Sequence, residues 1–447
     1  MIVRRLESVP DLAVGLARLD ATLESLPTEG DELVRVEQPL AGTVDALDLP
    51  AGLPGSNLDP LMLLGPSWSG AGVTIQHDTP TPEALVAPPA GLRFALSCRF
   101  DPERDIDSEW QAFGRCRTWL PTLELDSERR LLALNWRPGL DRLALHQALT
   151  SWRPRATPST VSVAVDWEIE PGTRSAWHQT VDAALDRITG TDTLPLLRKI
   201  VLARPQHGGL SAPVAAADLL RAAPLGTVGW PWWLQHGRQS WLGETPERLG
   251  VRDGTTLRSL ALAGTRPRHH DPERDESLGR ELLDSDKDRR EQAAVADWLR
   301  GQLAHLASCE PEVGDLALHR LPSLQHLART LSVTSREPLQ DARWIAALHP
   351  TPALCGAPRT DVRSWLREME PFDRGLYGGV LGWLESDRAV AQVAIRGLRL
   401  HHEQVTVYAG AGLVRGSDPA REWAETGAKV RAVCRRLGLQ PPREVAG

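Results

Sequence analysis

Four carboxylates fall in two pairs of equal spacing: Asp288 with Glu291 in SDKDRREQAAV, and Glu422 with Glu425 in SDPAREWAETGAKV. Residues three apart on a helix share a face, so each segment can present two carboxylates together. Two such faces brought together concentrate negative charge, which is costly unless a cation sits between them. An all-oxygen donor set favours magnesium over zinc. Taken alone, either pair also fits an ordinary solvated helix face.

Lys199 is the other residue whose setting suggests chemistry. It opens a hydrophobic strand expected over 198–205 and is followed by Ile200, Val201 and Leu202. An ammonium there is poorly solvated, which favours its neutral form. A strand-edge lysine with its head in solvent is the plain alternative.

The acids require helices, and the pattern supplies them over 285–307 and 419–437. The second is the better defined, because Asp418 can cap it, Pro419 suits its first turn and Gly438 can end it. An amphipathic stretch, WHQTVDAALDRITG, stops at Gly190. Further strands are expected at 92–100, 130–136, 239–242, 257–263, 380–383, 390–395 and 405–409. Strands and helices mix without a βαβ rhythm, which points to an α+β fold with large, mainly antiparallel sheets. Residues 1–150 read as a β-rich scaffold belonging to the same fold, punctuated by Pro and Gly over 50–91. The chemical motifs fall within 175–437.

The 447 residues are 41% hydrophobic and 24% charged, as in soluble globular proteins, with a formal charge of −7. That charge argues against a nucleic-acid surface, which needs a basic stripe. Cys98, Cys116, Cys309, Cys355 and Cys434 form no CxxC pair and read as reduced thiols. The first residues lack a signal-peptide core, and no run reaches about 18 uninterrupted apolar residues, so a cytoplasmic location without a membrane anchor is expected.

A set of segments in fixed order carries a resemblance: KIVLARPQ from Lys199, WLGETPERL from Trp241, LALAGTRPR from Leu260, LLDSDKDRREQ from Leu282 and LPSLQHLARTLSV from Leu321. LHPTPALCGAPR from Leu348, FDRGLYGGVLGW from Phe372, VAIRG from Val393 and the run from Tyr408 to Val430 complete it. The chain resembles the chorismate-utilising enzymes related to anthranilate synthase component I. The resemblance implies two antiparallel sheets packed between helices, with the active site in a cleft between them. It implies Mg²⁺ held directly by Glu291 and Glu425, with Asp288 and Glu422 acting through water. It makes Lys199 the base that activates water and Glu247 the acid that protonates a departing hydroxyl. Arg396 and Tyr377 would hold the enolpyruvyl carboxylate, an arginine fork matching a carboxylate geometrically. Gly264, Thr265, Gly410 and Gly412 would bring backbone N–H groups to substrate carboxylates, where glycine permits close approach. His349 resembles a histidine near the substrate ring, and Lys429, on the same helical face as Glu425, is a counter-ion for a carboxylate. His269 and His270 read as loop residues without a role.

Within that family, Lys199 sets the chain apart from the aminating anthranilate synthases, and Ala263 from the aminodeoxychorismate synthases. The LHPTPA segment resembles isochorismate synthases, and WLPTLEL at Trp119 resembles those of the menaquinone pathway. The expected reaction is conversion of chorismate to isochorismate without an amidotransferase subunit. Salicylate synthase and a siderophore-pathway isochorismate synthase are the alternatives. Gln292 stands where the family often has histidine.

Overall fold

The computed structural model describes residues 1–46, 48–49, 61–65, 67–154, 162–168, 173–190, 197–222, 226, 229–321 and 324–443. The core of the proline-rich stretch, 50–60, lies outside them. Two large sheets flanked by helices make up the α+β fold. The first has thirteen strands among the described residues. It runs from Ile2–Arg5 through Val34–Pro39, Leu131–Trp136, Leu123–Asp126, Trp68–Ala71 and Leu61–Leu64 to Trp230–His236. It continues with Gln239–Thr245, Gly397–His401, Gln404–Leu413, Lys199–Leu210 and Val165–Trp167, while Gly356–Ala357 also pairs with Lys199–Leu210. The second has ten strands among the same residues: Glu312–Val313, Leu324–Thr334, Thr256–Pro267, Arg248–Asp253, Arg388–Val393, Val380–Leu384, Phe94–Cys98, Cys116–Leu120 and Ile75–Thr79 in order, with Ala317–Arg320 also on Leu324–Thr334. Pairing is antiparallel apart from Ile2–Arg5 with Val34–Pro39. Both sheets take strands from early and late in the chain, joined where Leu61–Leu64 pairs with Trp230–His236 and where Phe94–Cys98 pairs with Val380–Leu384.

The chain passes between the sheets at short connections, and two of these lie side by side. Thr245 ends a strand of the first sheet and Arg248 begins one of the second; Val393 and Gly397 make the return step. Pro246 has no N–H to continue the first ladder, and Arg396 turns the chain with φ at +63°. Each crossing bonds the other: Val393 N–H donates to the Glu247 carbonyl at 3.0 Å, and Glu244 N–H to the Arg396 carbonyl at 3.3 Å.

Both acidic helices form as expected. Asp286–Ala307 is capped by the Ser285 hydroxyl, which accepts from Asp288 N–H, and Pro419–Arg436 by Asp418, which accepts from Arg421 N–H. The first packs on Thr256–Pro267 and Leu324–Thr334, the second on Gln404–Leu413. No described helix is long and apolar enough to cross a membrane.

Two strands differ from expectation for physical reasons. Lys199–Leu210 does not stop at Pro205, because there the strand is paired on one side only, with Tyr408 of Gln404–Leu413. Gly356–Ala357 covers its other side at Lys199 and Ile200, and Val165–Trp167 covers it from Gly208 to Leu210. A proline facing the gap forfeits no ladder bond. Thr256–Pro267 outruns 257–263 because a bulge at Gly264, with φ +69°, lets it continue. Leu324–Thr334 was not expected as a strand.

Trp232 lies over a glycine pair, Gly243 opposite Gly397, next to the Arg396 crossing. A Cβ on Gly397 would stand 2.3 Å from the Trp232 ring and 2.5 Å from the Leu242 carbonyl. Gly397→Ala is therefore expected to cost about 2–4 kcal/mol by overpacking. Denaturant unfolding measures it, and a loss below about 1 kcal/mol would contradict this packing.

Candidate active site

Glu247 and Arg396 occupy the paired crossings, so the backbone itself brings a carboxyl and a guanidinium to the seam between the sheets. Part of Glu247 stays open, but its carboxyl is enclosed by protein. Desolvation pushes its pKa up to about 7, against the opposing pull of the Thr351 hydroxyl, 3.3 Å away, and of Lys199, Arg396 and Lys429. A carboxyl so placed still holds its proton near neutrality. Burial lowers the Arg396 pKa, while Tyr377, Glu425 and Glu247 oppose that shift. Among the described residues, no protein group accepts a hydrogen bond from its guanidinium.

Among the described residues, the Tyr377 hydroxyl and one His326 nitrogen also lack protein partners. Tyr377 is 7% exposed and stacks on Tyr408 with ring centroids 5.5 Å apart. Its hydroxyl lies against Gly410, 3.2 Å from where a Cβ would stand, and desolvation raises its pKa to about 12. His326 is paired opposite Thr265 across the strands. Its Nδ1 is 3.1 Å from both the Thr265 hydroxyl and the Gly264 carbonyl, while Nε2 is buried with no partner. Desolvation drops its pKa to about 4, so the ring is neutral. Together the guanidinium, the phenol and the buried imidazole nitrogen leave polar groups free for a polar ligand.

The lysines and the acids form the open side. Lys199 Nζ is 3.2 Å from Glu291 Oε1, and Lys429 Nζ is 2.6 Å from Glu425 Oε1 and 2.7 Å from the Gly410 carbonyl. The Lys199 side chain also passes Gly412, with Cε 3.1 Å from where a Cβ would stand. The Lys199 stem thus lies over Gly412, and the Lys429 ammonium is held by backbone two residues away on the same strand. Burial raises the Glu422 pKa, and repulsion from Glu425 adds to it, while Lys287 on the other acidic helix opposes the shift. The two helical N-termini therefore converge.

Among the described residues no three His, Cys, Asp or Glu side chains are arranged to hold a metal. Magnesium does not need three, since it keeps several waters and takes one or two carboxylates together with ligand oxygens. Glu291 and Glu425, 42% and 52% exposed and carrying only oxygen donors of their own, fit a hard cation of that kind. Asp288 is buried at 8% and paired with Arg266 at 3.0 Å, packed against the Gly264 bulge. Gln292 turns from this face and donates at 3.4 Å to the Ala261 carbonyl, tying helix to sheet. His349 is buried at 6%, with Nε2 held 2.8 Å from the Gly378 carbonyl. It therefore braces the loop that carries Tyr377. His269 and His270 lie in the exposed turn before Pro272–Asp284.

Sequence reasoning missed Thr351 and His326. Thr351 stood in the quoted LHPTPA segment but gains its meaning only from its contact with Glu247. His326 required the pairing of Leu324–Thr334 with the Gly264 bulge, which sequence spacing does not reveal.

A family model described as chorismate binding enzyme matches residues 74–438. The chloroplastic isochorismate synthase of Catharanthus roseus is 31% identical over 78% of this chain and 63% of its own length, so the match spans under two thirds of that relative. The salicylate biosynthesis isochorismate synthase of Pseudomonas aeruginosa is 34% identical over 78% of this chain and 75% of its own. The solved structure of MenF, the menaquinone-specific isochorismate synthase of Escherichia coli, superposes with a TM-score of 0.78 at 25% identity, covering 95% of this chain and 99% of that one.

Because the Thr351 hydrogen bond favours the charged form of Glu247, Thr351→Val is expected to raise the carboxyl pKa above about 7. Difference infrared titration of the carboxyl band reads this, and an unchanged or lower value would remove Thr351 as a determinant.

Proposed function

The chain belongs to the family of chorismate-binding enzymes, and on that footing we propose that it is an isochorismate synthase, an isomerase that converts chorismate to isochorismate. The observation that carries the reading is a carboxyl held protonated to about pH 7 within the electrostatic reach of a lysine and of an arginine without a protein acceptor.

In this reading Lys199 takes a proton from a water molecule as its oxygen bonds to ring carbon C2. The ring double bonds shift, and the C4 hydroxyl leaves as water on receiving the Glu247 proton. One water enters and one departs, and the reverse reaction exchanges the two roles. Arg396 and Tyr377 orient the enolpyruvyl carboxylate. Backbone at Gly264, Thr265, Gly410 and Gly412 is assigned to the substrate carboxylates in this reading, with Lys429 as a further cation. When bound, Mg²⁺ held by Glu291 and Glu425, with Asp288 and Glu422 acting through water, neutralises that carboxylate. Water as the nucleophile removes any need for an amide-nitrogen donor subunit. The likeness to MenF favours the menaquinone pathway.

Purified protein incubated with chorismate and Mg²⁺ is expected to yield isochorismate; salicylate with pyruvate would instead identify a salicylate synthase. Lys199→Ala should lower turnover by about 10²–10⁴ with the fold retained, as loss of a general base does, and near-normal turnover sinks that role. The pH dependence follows from the raised Glu247 pKa. The acid is competent below about 7 and deprotonates as pH rises through it, so kcat/KM should fall on the alkaline side with an apparent pKa near 7. An alkaline limb that persists in Glu247→Gln would assign it to another group.

A further inference from the structure

Each exposed carboxylate of the proposed metal site is already paired with an ammonium: Glu291 with Lys199 at 3.2 Å and Glu425 with Lys429 at 2.6 Å. The pairs are not equivalent. Lys199 reaches out from a sheet strand, whereas Lys429 is one helical turn from Glu425 on the same helix, so helix geometry keeps that pair in register without tertiary help. Lys429 is held from behind as well, since its ammonium donates to the Gly410 carbonyl at 2.7 Å. A carboxylate oxygen cannot serve a tightly held ammonium and a directly bound divalent cation at once.

We propose that Lys429 is an internal competitor for the cation. In the metal-free protein its ammonium occupies Glu425, a divalent cation binds only by displacing it, and a dianionic ligand promotes the exchange by accepting the released ammonium. Cation and dianion then bind with positive coupling, because each removes a cost the other would bear alone. The inference rests on the reading of Glu291 and Glu425 as metal ligands and assigns a regulatory role to a neighbour that binds no metal.

Mn²⁺ replaces Mg²⁺ as a hard cation with a magnetic signature, so free and bound ion are counted by electron paramagnetic resonance in the intact protein without turnover. Lys429→Met is expected to bind Mn²⁺ roughly two- to fivefold more tightly than the unmodified protein in the absence of ligand, the scale of a partly exposed ion pair. Chorismate should raise Mn²⁺ affinity in the unmodified protein and raise it less in the variant. Equal or weaker Mn²⁺ binding by Lys429→Met overturns the proposal; if that variant does not unfold cooperatively, Lys429→Gln takes its place. Glu425→Gln serves as the separate check. If it binds Mn²⁺ as well as the unmodified protein does, the metal site itself has been misread, whereas a loss there with no gain in Lys429→Met rejects the competition alone.

Discussion

Two backbone hydrogen bonds where the chain changes sheets determine where everything else at the site can be. The Glu247 carbonyl accepts from Val393, and the Arg396 carbonyl accepts from Glu244, so the two crossings are locked together. Backbone bonds of this kind are enclosed and must be made, which leaves the side chains of Glu247 and Arg396 little choice of position. An acid and a guanidinium are thereby held at the seam, where desolvation raises the pKa of one and lowers that of the other.

The strand that carries Lys199 needs its own support, because part of one side has no neighbouring strand. Side chains fill the gap. Glu370 accepts from Ala203 N–H at 2.8 Å, and Arg374 donates to the Val201 carbonyl at 2.6 Å and to the Leu354 carbonyl at 3.1 Å. Arg374 and Glu370 are themselves paired and buried at 4% each. Removing one partner would leave the other charge uncompensated, so the pair ties the Lys199 strand, the Thr351 loop and the approach to Tyr377 into one unit. Beneath Tyr377, Tyr408 packs against Trp110, Trp241 and Phe372, an aromatic layer that fixes the phenol.

The balance of charge across the site is graded. Its inner end has the unpaired Arg396 guanidinium and a carboxyl inclined to neutrality, and its outer end has carboxylates matched by lysines. A small dianion together with a divalent cation can satisfy both ends, the anion taking the free donors and the cation the outer carboxylates. Neither alone does so, which gives the proposed chemistry an electrostatic basis.

The sequence by itself determined the periodic and the covalent. Helical spacing placed Glu291 with Asp288 and Glu425 with Glu422, capping residues marked the second of the two helices, and the ordered motifs identified the family to which the chain belongs. Tertiary structure decided what each of those acids is paired with. Asp288, equal to Glu291 by spacing, is bound by Arg266 from a strand more than twenty residues earlier. It likewise decided that Gln292 faces the sheet, that His349 is engaged by Gly378, and that His326 keeps an unpartnered nitrogen. Local periodicity fixes which face a side chain occupies, because that depends on neighbours along the chain. Desolvation and pairing depend on what another segment brings to that face, and here those segments meet only through the register of the two sheets.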